Sequence, residues 1–319
     1  MKPKIMLTGK GGQVGSELRR FLPRLGDLAA PDRHELDLLD VDNIRRAVRD
    51  IRPQLIVNAA AYTKVDAAES DEANAHAVNT IAPAVLAEEA KKLGAAVVHY
   101  STDYVFDGAK AAPYEEMDSA NPISVYGKTK LAGEQAIRST GVPHLIFRTA
   151  WVYATRGRNF LLTILRLATE KEELRIVRDQ IGAPTWSREI AAATTKILAQ
   201  VIERGSATSD FTEVSGTYHL TAAGETTWYD FARAIIEEAS HTPQSIPWFA
   251  AATGGRRLAT RYIIPITTQE FPTAAARPAY SVLSNSRLIQ TFGVALPDWR
   301  AQMQSCFISE SIAANFLAV

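Results

Sequence analysis

Short apolar runs alternate with longer segments of helical periodicity through the first half of the chain. Four of these runs are rich in β-branched and large apolar side chains: Ile5–Leu7, Leu55–Asn58, Val97–Tyr100 and Leu145–Phe147. Apolar residues recur at helical spacing between them, in Val14–Leu25, Val41–Asp50, Val78–Leu93 and Val125–Ser139. Strands that alternate with helices are typical of right-handed βαβ crossovers, which build a parallel sheet covered on both faces. We therefore predict a Rossmann-like, doubly wound α/β fold with a ligand at the carboxyl ends of its strands.

The pattern changes after about residue 151. Helical periodicity continues, but strands become sparse, and Thr217–Leu220 is the one segment with the clear composition of a strand. His241–Pro278 is rich in Pro, Thr and Gly, which predicts a region dominated by loops. We predict a nucleotide-binding domain over residues 1–150, to which residues of about 187–215 return. Residues 151–319 would mainly form a smaller, mixed α/β lobe that binds the substrate.

Composition narrows the classes of partner. The 35 Lys and Arg residues balance 35 Asp and Glu residues, so no basic excess favours nucleic acid or an anionic membrane surface. No apolar run approaches the roughly 20 residues that span a bilayer. The single cysteine, Cys306, cannot form an intrachain disulfide and is best interpreted as a buried structural thiol. The six histidines show no metal-ligand spacing. We expect a cytoplasmic protein without a nucleic acid, membrane or metal partner.

A glycine loop follows the first predicted strand. Gly9, Gly12 and Gly15 form a G-x-x-G-x-x-G pattern that opens a helix. Glycines let the backbone approach a pyrophosphate, which then rests at the helix N-terminus. A plain turn would also use glycines, but the strand–loop–helix context favours the nucleotide. Asp32 and Arg33 follow a second strand; the acid favours NADH, whereas the arginine can accept the 2′-phosphate of NADPH, so both coenzymes stay open.

Three polar residues predict proton-transfer chemistry. Tyr126 and Lys130 lie four residues apart at the start of a predicted helix and share one of its faces. The pKa of a free phenol is about 10, and a nearby ammonium group lowers it towards the range of general acid–base catalysis. Thr102 ends the preceding predicted strand, where its hydroxyl can hold a substrate oxygen. A glycine loop, a strand ending in Thr and then a Tyr–Lys helix, in that order, are typical of short-chain dehydrogenases.

Longer segments carry a more specific resemblance, and together they cover nearly the whole chain. They are residues 9–15, 57–63, 65–66, 68–69, 101–108, 126–134, 147–153, 179–185 and 277–278. On these segments the chain resembles the extended short-chain dehydrogenase/reductase superfamily and, within it, the dTDP-4-dehydrorhamnose reductase family. The resemblance implies that NADPH or NADH reduces the C4 ketone of dTDP-4-dehydro-β-L-rhamnose to dTDP-β-L-rhamnose.

The resemblance also implies a role for each matching residue. Tyr126 would donate the proton, Lys130 would lower its pKa and hold the nicotinamide ribose, and Thr102 would orient the substrate. Contacts with the coenzyme are implied for Tyr126 and Lys130 as well as for Gly9, Gly11, Gly12, Gln13, Val14, Gly15, Asp32, Arg33, Asp37, Leu38, Ala59, Ala60 and Tyr62. Contacts with the substrate are implied for Asp103, Tyr104, Trp151 and Arg277.

Several of these residues have plainer interpretations. Trp151 could pack in the core, Asp37 could cap the next helix, and Arg277 could pair with a carboxylate instead of a phosphate. Two other functions also stay open. A nucleotide-sugar epimerase shares the Tyr–Lys pair and the glycine loop, and so does a dehydratase, but the dehydratases carry a Glu directly after the Thr–Asp pair, where this chain has Tyr104. A non-catalytic NADP-binding regulatory subunit, like that of methionine adenosyltransferase, would not need the intact Tyr126.

One departure from the family concerns metal. Some members dimerise around Mg²⁺ that is held by glutamates. Glu17 matches one such position, but Arg188 and Arg300 stand at the other two. Because Mg²⁺ requires oxygen ligands, an arginine cannot replace a glutamate there. We expect a monomer or a weak homodimer without a magnesium bridge.

Overall fold

The computed structural model describes residues 2–203 and 209–315. In these ranges the strands are β1 Lys4–Thr8, β2 Asp27–Ala29, β3 Leu55–Asn58, β4 Ala96–Thr102, β5 His144–Thr149, β6 Val152–Tyr153, β7 Glu173–Val177, β8 Ile181–Gly182, β9 Thr185–Trp186, β10 Gly216–His219, β11 Thr226–Thr227 and β12 Tyr262–Ile266. The α-helices are α1 Gln13–Phe21, α2 Val41–Ile51, α3 Val65–Ala68, α4 Glu72–His76, α5 Ala82–Leu93, α6 Val125–Thr140, α7 Phe160–Glu170, α8 Ser187–Glu203, α9 Ser209–Glu213, α10 Trp228–His241, α11 Pro247–Thr253, α12 Ser286–Phe292 and α13 Trp299–Asn315. Residues 204–208 of the predicted returning segment and residues 316–319 lie outside the described residues.

The central sheet has six parallel strands in the order β2-β1-β3-β4-β5-β10. The chain runs outward in opposite directions from β1 and β3, so the topology switches between these two strands. In a doubly wound sheet, ligands bind outside the carboxyl ends of the strands at such a switch point. The predicted fold class is confirmed, and it locates the candidate site.

Apolar side chains cover both faces of this sheet. On one face, Leu18 of α1 and Ile190 of α8 belong to a core that extends over β1, β3, β4 and β5. On the other face, Ile44 of α2 and Leu86 of α5 form a second core. Burial of each such side chain stabilises the fold by about 1.5–3 kcal/mol. Since α8 packs on α1, a helix from the second half of the chain completes the first lobe.

The second lobe has a core of its own. Phe231 of α10 packs with Leu161 of α7 and Phe307 of α13. The predicted strand Thr217–Leu220 does not belong to this lobe, because β10 pairs with β5 at the edge of the central sheet. Strand β10 begins directly after residues 187–215, the segment that was predicted to return to the first lobe. The division of the chain into a nucleotide lobe and a substrate lobe stays a proposal.

The prediction of a loop-dominated region over His241–Pro278 is wrong in part. Helix α11 and strand β12 both lie within it. Proline is tolerated at both places: Pro247 occupies the first turn of α11, and Pro265 lies in an edge strand of the two-stranded β7–β12 sheet. The remaining strand pairs of this half, β6–β9 and β8–β11, are two residues long, which is too short for a visible alternation.

Candidate active site

A cleft of about 690 Å³ opens beside the carboxyl ends of β1 and β3. Nine of the predicted coenzyme contacts line it: Gly9, Gly11, Gly12, Asp32, Arg33, Asp37, Leu38, Ala60 and Tyr62. Further residues that were not predicted as coenzyme contacts also line the cleft, among them Lys10 and Asn74. The position of Lys10 inside the glycine loop was a signal that could have identified it. Asn74 gave no such signal, because it reaches the cleft from the separate helix α4.

The four glycines of the loop have different roles. Gly9 has φ +72°, and a Cβ there would lie 2.6 Å from the backbone nitrogen of Ala60, so only glycine fits. A Cβ on Gly15 would overlap the carbonyl oxygen of Gly9. Gly12 closes the turn, since its amide donates to that same carbonyl oxygen at 2.9 Å. These contacts fold the loop tightly against the start of α1. By contrast, a side chain on Gly11 would meet open space, which leaves its backbone accessible from the cleft.

Six predicted coenzyme contacts do not line the cleft, namely Gln13, Val14, Gly15, Ala59, Tyr126 and Lys130. The side chain of Gln13 joins the two lobes: its amide donates to the Val152 carbonyl at 3.4 Å and accepts from Asn159 at 3.0 Å. Val14 and Ala59 pack against the core instead. Any contact of Gln13 or Val14 with a pyrophosphate would therefore use the backbone amides of the first turn of α1.

The carboxylate of Asp32 is already hydrogen-bonded. Its Oδ1 accepts from the backbone amides of His34 at 2.9 Å and Glu35 at 3.2 Å. Nζ of Lys10 lies 3.9 Å from Oδ2. These amides, and then the charge of Lys10, lower the pKa of Asp32. A negative charge and two cationic residues, Lys10 and Arg33, therefore line the same end of the cleft.

The alternative interpretation of Asp37 as a helix cap is wrong. Asp40 caps α2, because its side chain accepts from the amides of Asp42 and Asn43. Asp37 instead accepts from the amide of Leu39 at 3.1 Å. Asp40 stands directly before the helix, whereas Asp37 is three residues too early for this role.

The predicted catalytic residues meet at the carboxyl end of β4. Thr102 ends this strand, and its hydroxyl accepts from the Tyr104 amide at 3.2 Å and donates to Asp103 at 2.9 Å. The hydroxyl of Thr102 also lies close enough to the phenol of Tyr126 to lower its pKa. Tyr126 lies in the first turn of α6, which Ser124 caps. The strand end and the helix start thus bring the two hydroxyl groups together.

The electrostatics of Tyr126 differ from the sequence prediction. Desolvation by the surrounding protein raises the pKa of Tyr126 to about 12, although the nearby hydroxyl of Thr102 opposes this rise. The predicted lowering by Lys130 is not seen, because its Nζ is directed elsewhere: it donates to the carbonyl oxygen of Tyr100 at 2.6 Å and lies 3.2 Å from the ring of His99. Burial lowers the pKa of Lys130 to about 8, although Glu134 opposes the change. The phenol is protonated at neutral pH, as a proton donor must be.

The predicted substrate residues form a second group beside Tyr126. The ring of Tyr104 meets that of Tyr126 edge to face, with 5.9 Å between centroids. Arg277 pairs with the carboxylate of Asp66 at 2.7 Å, which is the carboxylate alternative considered for it. Asp103 is buried, and burial raises its pKa to about 6, although the nearby Ser281 and the hydrogen bond from Thr102 oppose the rise.

Trp151 has an unusual backbone. Its φ of +45° lies in the left-handed region, which residues other than glycine rarely adopt. Its ring stacks on Trp228 with 3.4 Å between centroids and an interplanar angle of 6°. A side chain at Gly182 would overlap this ring. Packing thus accounts for the position of Trp151, and its contact with the sugar stays a prediction.

The fold and these residues define an NAD(P)-dependent oxidoreductase of the short-chain dehydrogenase/reductase class. Comparison with known proteins agrees. Residues 2–311 match the family model described as the RmlD substrate binding domain. The dTDP-4-dehydrorhamnose reductase of Burkholderia thailandensis is 50% identical over 303 residues, which cover 95% of this chain and 97% of that protein. The Escherichia coli K12 enzyme of the same name is 43% identical over 300 residues, covering 93% and 94%.

A solved structure supports the same relationship. The dTDP-4-dehydrorhamnose reductase of Bacillus anthracis, crystallised with NADP, has a TM-score of 0.82 and 33% identity, covering 97% of this chain and all of that one. The chain belongs to the dTDP-4-dehydrorhamnose reductase family. None of the helices in the described ranges has the length and apolar character needed to cross a membrane.

Proposed function

We propose that the protein reduces the C4 ketone of dTDP-4-dehydro-β-L-rhamnose to dTDP-β-L-rhamnose with NADPH or NADH. The observation that carries this proposal is the proximity of Thr102 and Tyr126 at the carboxyl end of β4, the strand next to β3, whose carboxyl end opens on the coenzyme cleft. The proposal is supported by 50% identity to a protein named for this reaction. Cytoplasmic location and a monomeric or weakly dimeric state stay predictions.

The cleft residues fit a nicotinamide dinucleotide. The exposed backbone of Gly11 and the amides of the first turn of α1 suit a pyrophosphate, which the helix dipole also favours. Lys10, Asp32 and Arg33 would surround the adenosine ribose. When bound, the reduced nicotinamide supplies the hydride for the ketone carbon.

Each catalytic side chain then has a defined task. Tyr126 keeps its proton at neutral pH and donates it to the carbonyl oxygen as the alcohol forms. The hydroxyl of Thr102 holds that oxygen beside the phenol. Tyr104, Trp151, Asp103 and Arg277 would enclose the sugar and its nucleotide, with Arg277 fixed by Asp66.

The test measures oxidation of NADH and NADPH with enzymatically generated dTDP-4-dehydrorhamnose. We expect Tyr126→Phe to lower turnover by about 10²–10⁴-fold, since a positioned general acid contributes that much. The matched control is Lys128→Met, because Lys128 is exposed on the same helical turn. Turnover of this control should stay within about twofold of the wild type. Inactivity of the wild-type protein on this substrate would disprove the proposed reaction, and a near-normal Tyr126→Phe variant would disprove the role of the phenol.

A further inference from the structure

A row of polar side chains crosses the centre of the sheet. Thr8 of β1 is paired in register with Asn58 of β3, and Asn58 is paired with His99 of β4. All three side chains are almost fully buried, with exposed fractions of 1%, 2% and 0%. Apolar residues fill most other positions of these strands. The three buried polar side chains therefore need hydrogen-bond partners.

The row forms a continuous chain of hydrogen bonds that ends at Lys130. The hydroxyl of Thr8 donates to Oδ1 of Asn58 at 2.6 Å. Nδ2 of Asn58 lies 3.0 Å from Nδ1 of His99. Nε2 of His99 lies 3.2 Å from Nζ of Lys130, which is itself 1% exposed. His99 is thus the only side chain within the described residues that has a recorded hydrogen-bond contact with this nitrogen.

The backbone fixes which nitrogen of His99 carries the proton. The amide of Ala60 can only donate, and it lies 3.3 Å from the Asn58 side chain, so the atom that faces it is the carbonyl oxygen. The amide nitrogen of Asn58 therefore faces His99 and donates to Nδ1. Burial, and then the charge of Lys130, keep the pKa of His99 well below its usual range, so the ring is neutral. A neutral ring that accepts at Nδ1 has its proton on Nε2, pointing at Lys130.

We propose that His99, oriented by Asn58, is a positioning residue that stabilises the neutral amine of Lys130 and so allows this lysine to release a proton during turnover. An ammonium group and an N–H cannot hydrogen-bond to each other, whereas the lone pair of a neutral amine accepts from Nε2–H. This inference rests on the proposed reduction. It adds a residue that prepares the lysine without touching the substrate.

The proton balance of one turnover closes with this arrangement. The phenol O–H of Tyr126 breaks when its proton passes to the new alkoxide, which leaves a phenolate. One N–H of the Lys130 ammonium then breaks, and a proton reaches the phenolate oxygen through intervening water or hydroxyl groups, because Nζ does not contact the phenol directly. The resulting amine accepts the hydrogen bond from His99 until solvent returns a proton at product release. No oxidant or reductant beyond the coenzyme is needed.

The other charged groups near Lys130 do not stabilise its neutral amine as His99 does. Glu134, on the same helix, opposes the loss of the proton. Its carboxylate is bound by Arg148 of β5 at 2.7 Å and by Arg138 of α6 at 3.2 Å, so much of its charge is offset. The remaining neighbours in the row, Asn58 and Thr8, are uncharged.

The tautomer can be read directly by ¹⁵N NMR of the histidine-labelled protein without coenzyme or substrate. We expect His99 to show a protonated Nε2 and an unprotonated Nδ1, unchanged between pH 6 and 9. The His99→Gln variant assigns the signals, and His99→Asn serves if the first variant does not fold. A protonated Nδ1, or an imidazolium in this range, would overturn the proposal. Because no substrate is involved, this result is independent of the proposed reaction.

Kinetics test the consequence for Lys130. In Asn58→Asp, a carboxylate can only accept, so Nδ1 carries the proton and Nε2 offers its lone pair to the ammonium. The ammonium is then favoured, and the alkaline limb of the kcat profile should move up by roughly one pH unit at saturating coenzyme. His144→Gln is the matched control, since His144 lies at the amino end of β5, away from the active site. The pH profile of this variant should not move. An unchanged or downward-shifted limb in Asn58→Asp contradicts the proposal, whatever the substrate preference proves to be.

Discussion

At the residue scale, the coenzyme end of the cleft combines charges of both signs within one short segment. Asp32 accepts two backbone amides, and Lys10 lies close to its second oxygen. A ribose diol must compete with these donors for the carboxylate. A 2′-phosphate would meet the cations of Lys10 and Arg33 but also the charge of Asp32. We therefore expect Asp32 to disfavour NADPH relative to NADH, so its removal should change the preference between the two coenzymes.

We expect Asp32→Ala to raise the ratio of kcat/KM for NADPH to kcat/KM for NADH by roughly tenfold, because a hydrogen bond to the diol and a like charge near the phosphate are lost together. Steady-state kinetics with each coenzyme measure this ratio. Asp27→Ala is the control, since Asp27 is exposed at the opposite end of β2. A ratio that falls, or that changes equally in both variants, would show that Asp32 does not contact the ribose.

At the element scale, a buried ion pair anchors the helix that carries Tyr126 and Lys130. Glu134 of α6 accepts two hydrogen bonds from Arg148 of β5, at 2.9 and 2.7 Å, and both side chains are buried. Burial alone would raise the pKa of Glu134, but the hydrogen bonds and charge of Arg148 hold it below its ordinary value. The pair thus fixes α6 against strand β5 of the central sheet.

Breaking this pair should destabilise the protein. We expect Glu134→Gln to lower the free energy of unfolding by about 3 kcal/mol, because a buried arginine loses its counter-charge. Since the folded pKa of Glu134 lies below the unfolded value near 4.3, its stabilisation is complete above that pH and is lost as the pH falls further. Denaturant titrations at pH 7 and below pH 4 measure both effects. Glu88→Gln, which affects an exposed pair with Arg45, should change stability by less than about 1 kcal/mol.

The sequence predicted the elements of the first lobe well, because each crossover repeats a strand and a helix of normal length. The predicted runs Leu55–Asn58 and Val41–Asp50 coincide with β3 and α2 to within a residue. Strands of two residues, such as β6 and β9, carry no period and could not be predicted. β12 was missed for another reason, since its own proline is normally a signal against a strand.

In the site, too, residues with local sequence signals were predicted, whereas long-range contacts were not. Tyr126, Lys130 and Thr102 were found because their signals are local: a four-residue spacing on a helix and a hydroxyl at a strand end. The contact of Asn58 with His99 joins residues 41 positions apart, and it depends on the register of two strands. The direction of the Lys130 side chain depends on the same packing. A single sequence contains no direct signal for either.

At the scale of the whole molecule, the residues at the family's metal positions form ion pairs with each other and with neighbours. Glu17 is bound by Arg188 at 3.3 Å and by Arg20 at 3.6 Å. Arg188 also stacks over the ring of Trp186, with 5.0 Å to its centroid. Arg300 pairs with Glu237 at 2.6 Å. Within the described residues, no group of three or more His, Cys, Asp or Glu side chains could hold a metal ion.

We therefore expect neither activity nor molar mass in solution to depend on Mg²⁺. A cation at Glu17 would have to displace two guanidinium groups and would then find nitrogen donors where it prefers oxygen. Light scattering after size-exclusion chromatography, and turnover in EDTA with and without added Mg²⁺, measure both quantities. Arg188→Gln is the informative variant, because it frees Glu17 without adding an acidic ligand, and it should remain independent of Mg²⁺. A mass that halves in EDTA and recovers with Mg²⁺ would instead show that the subunits pair through a metal site which these arginines do not block.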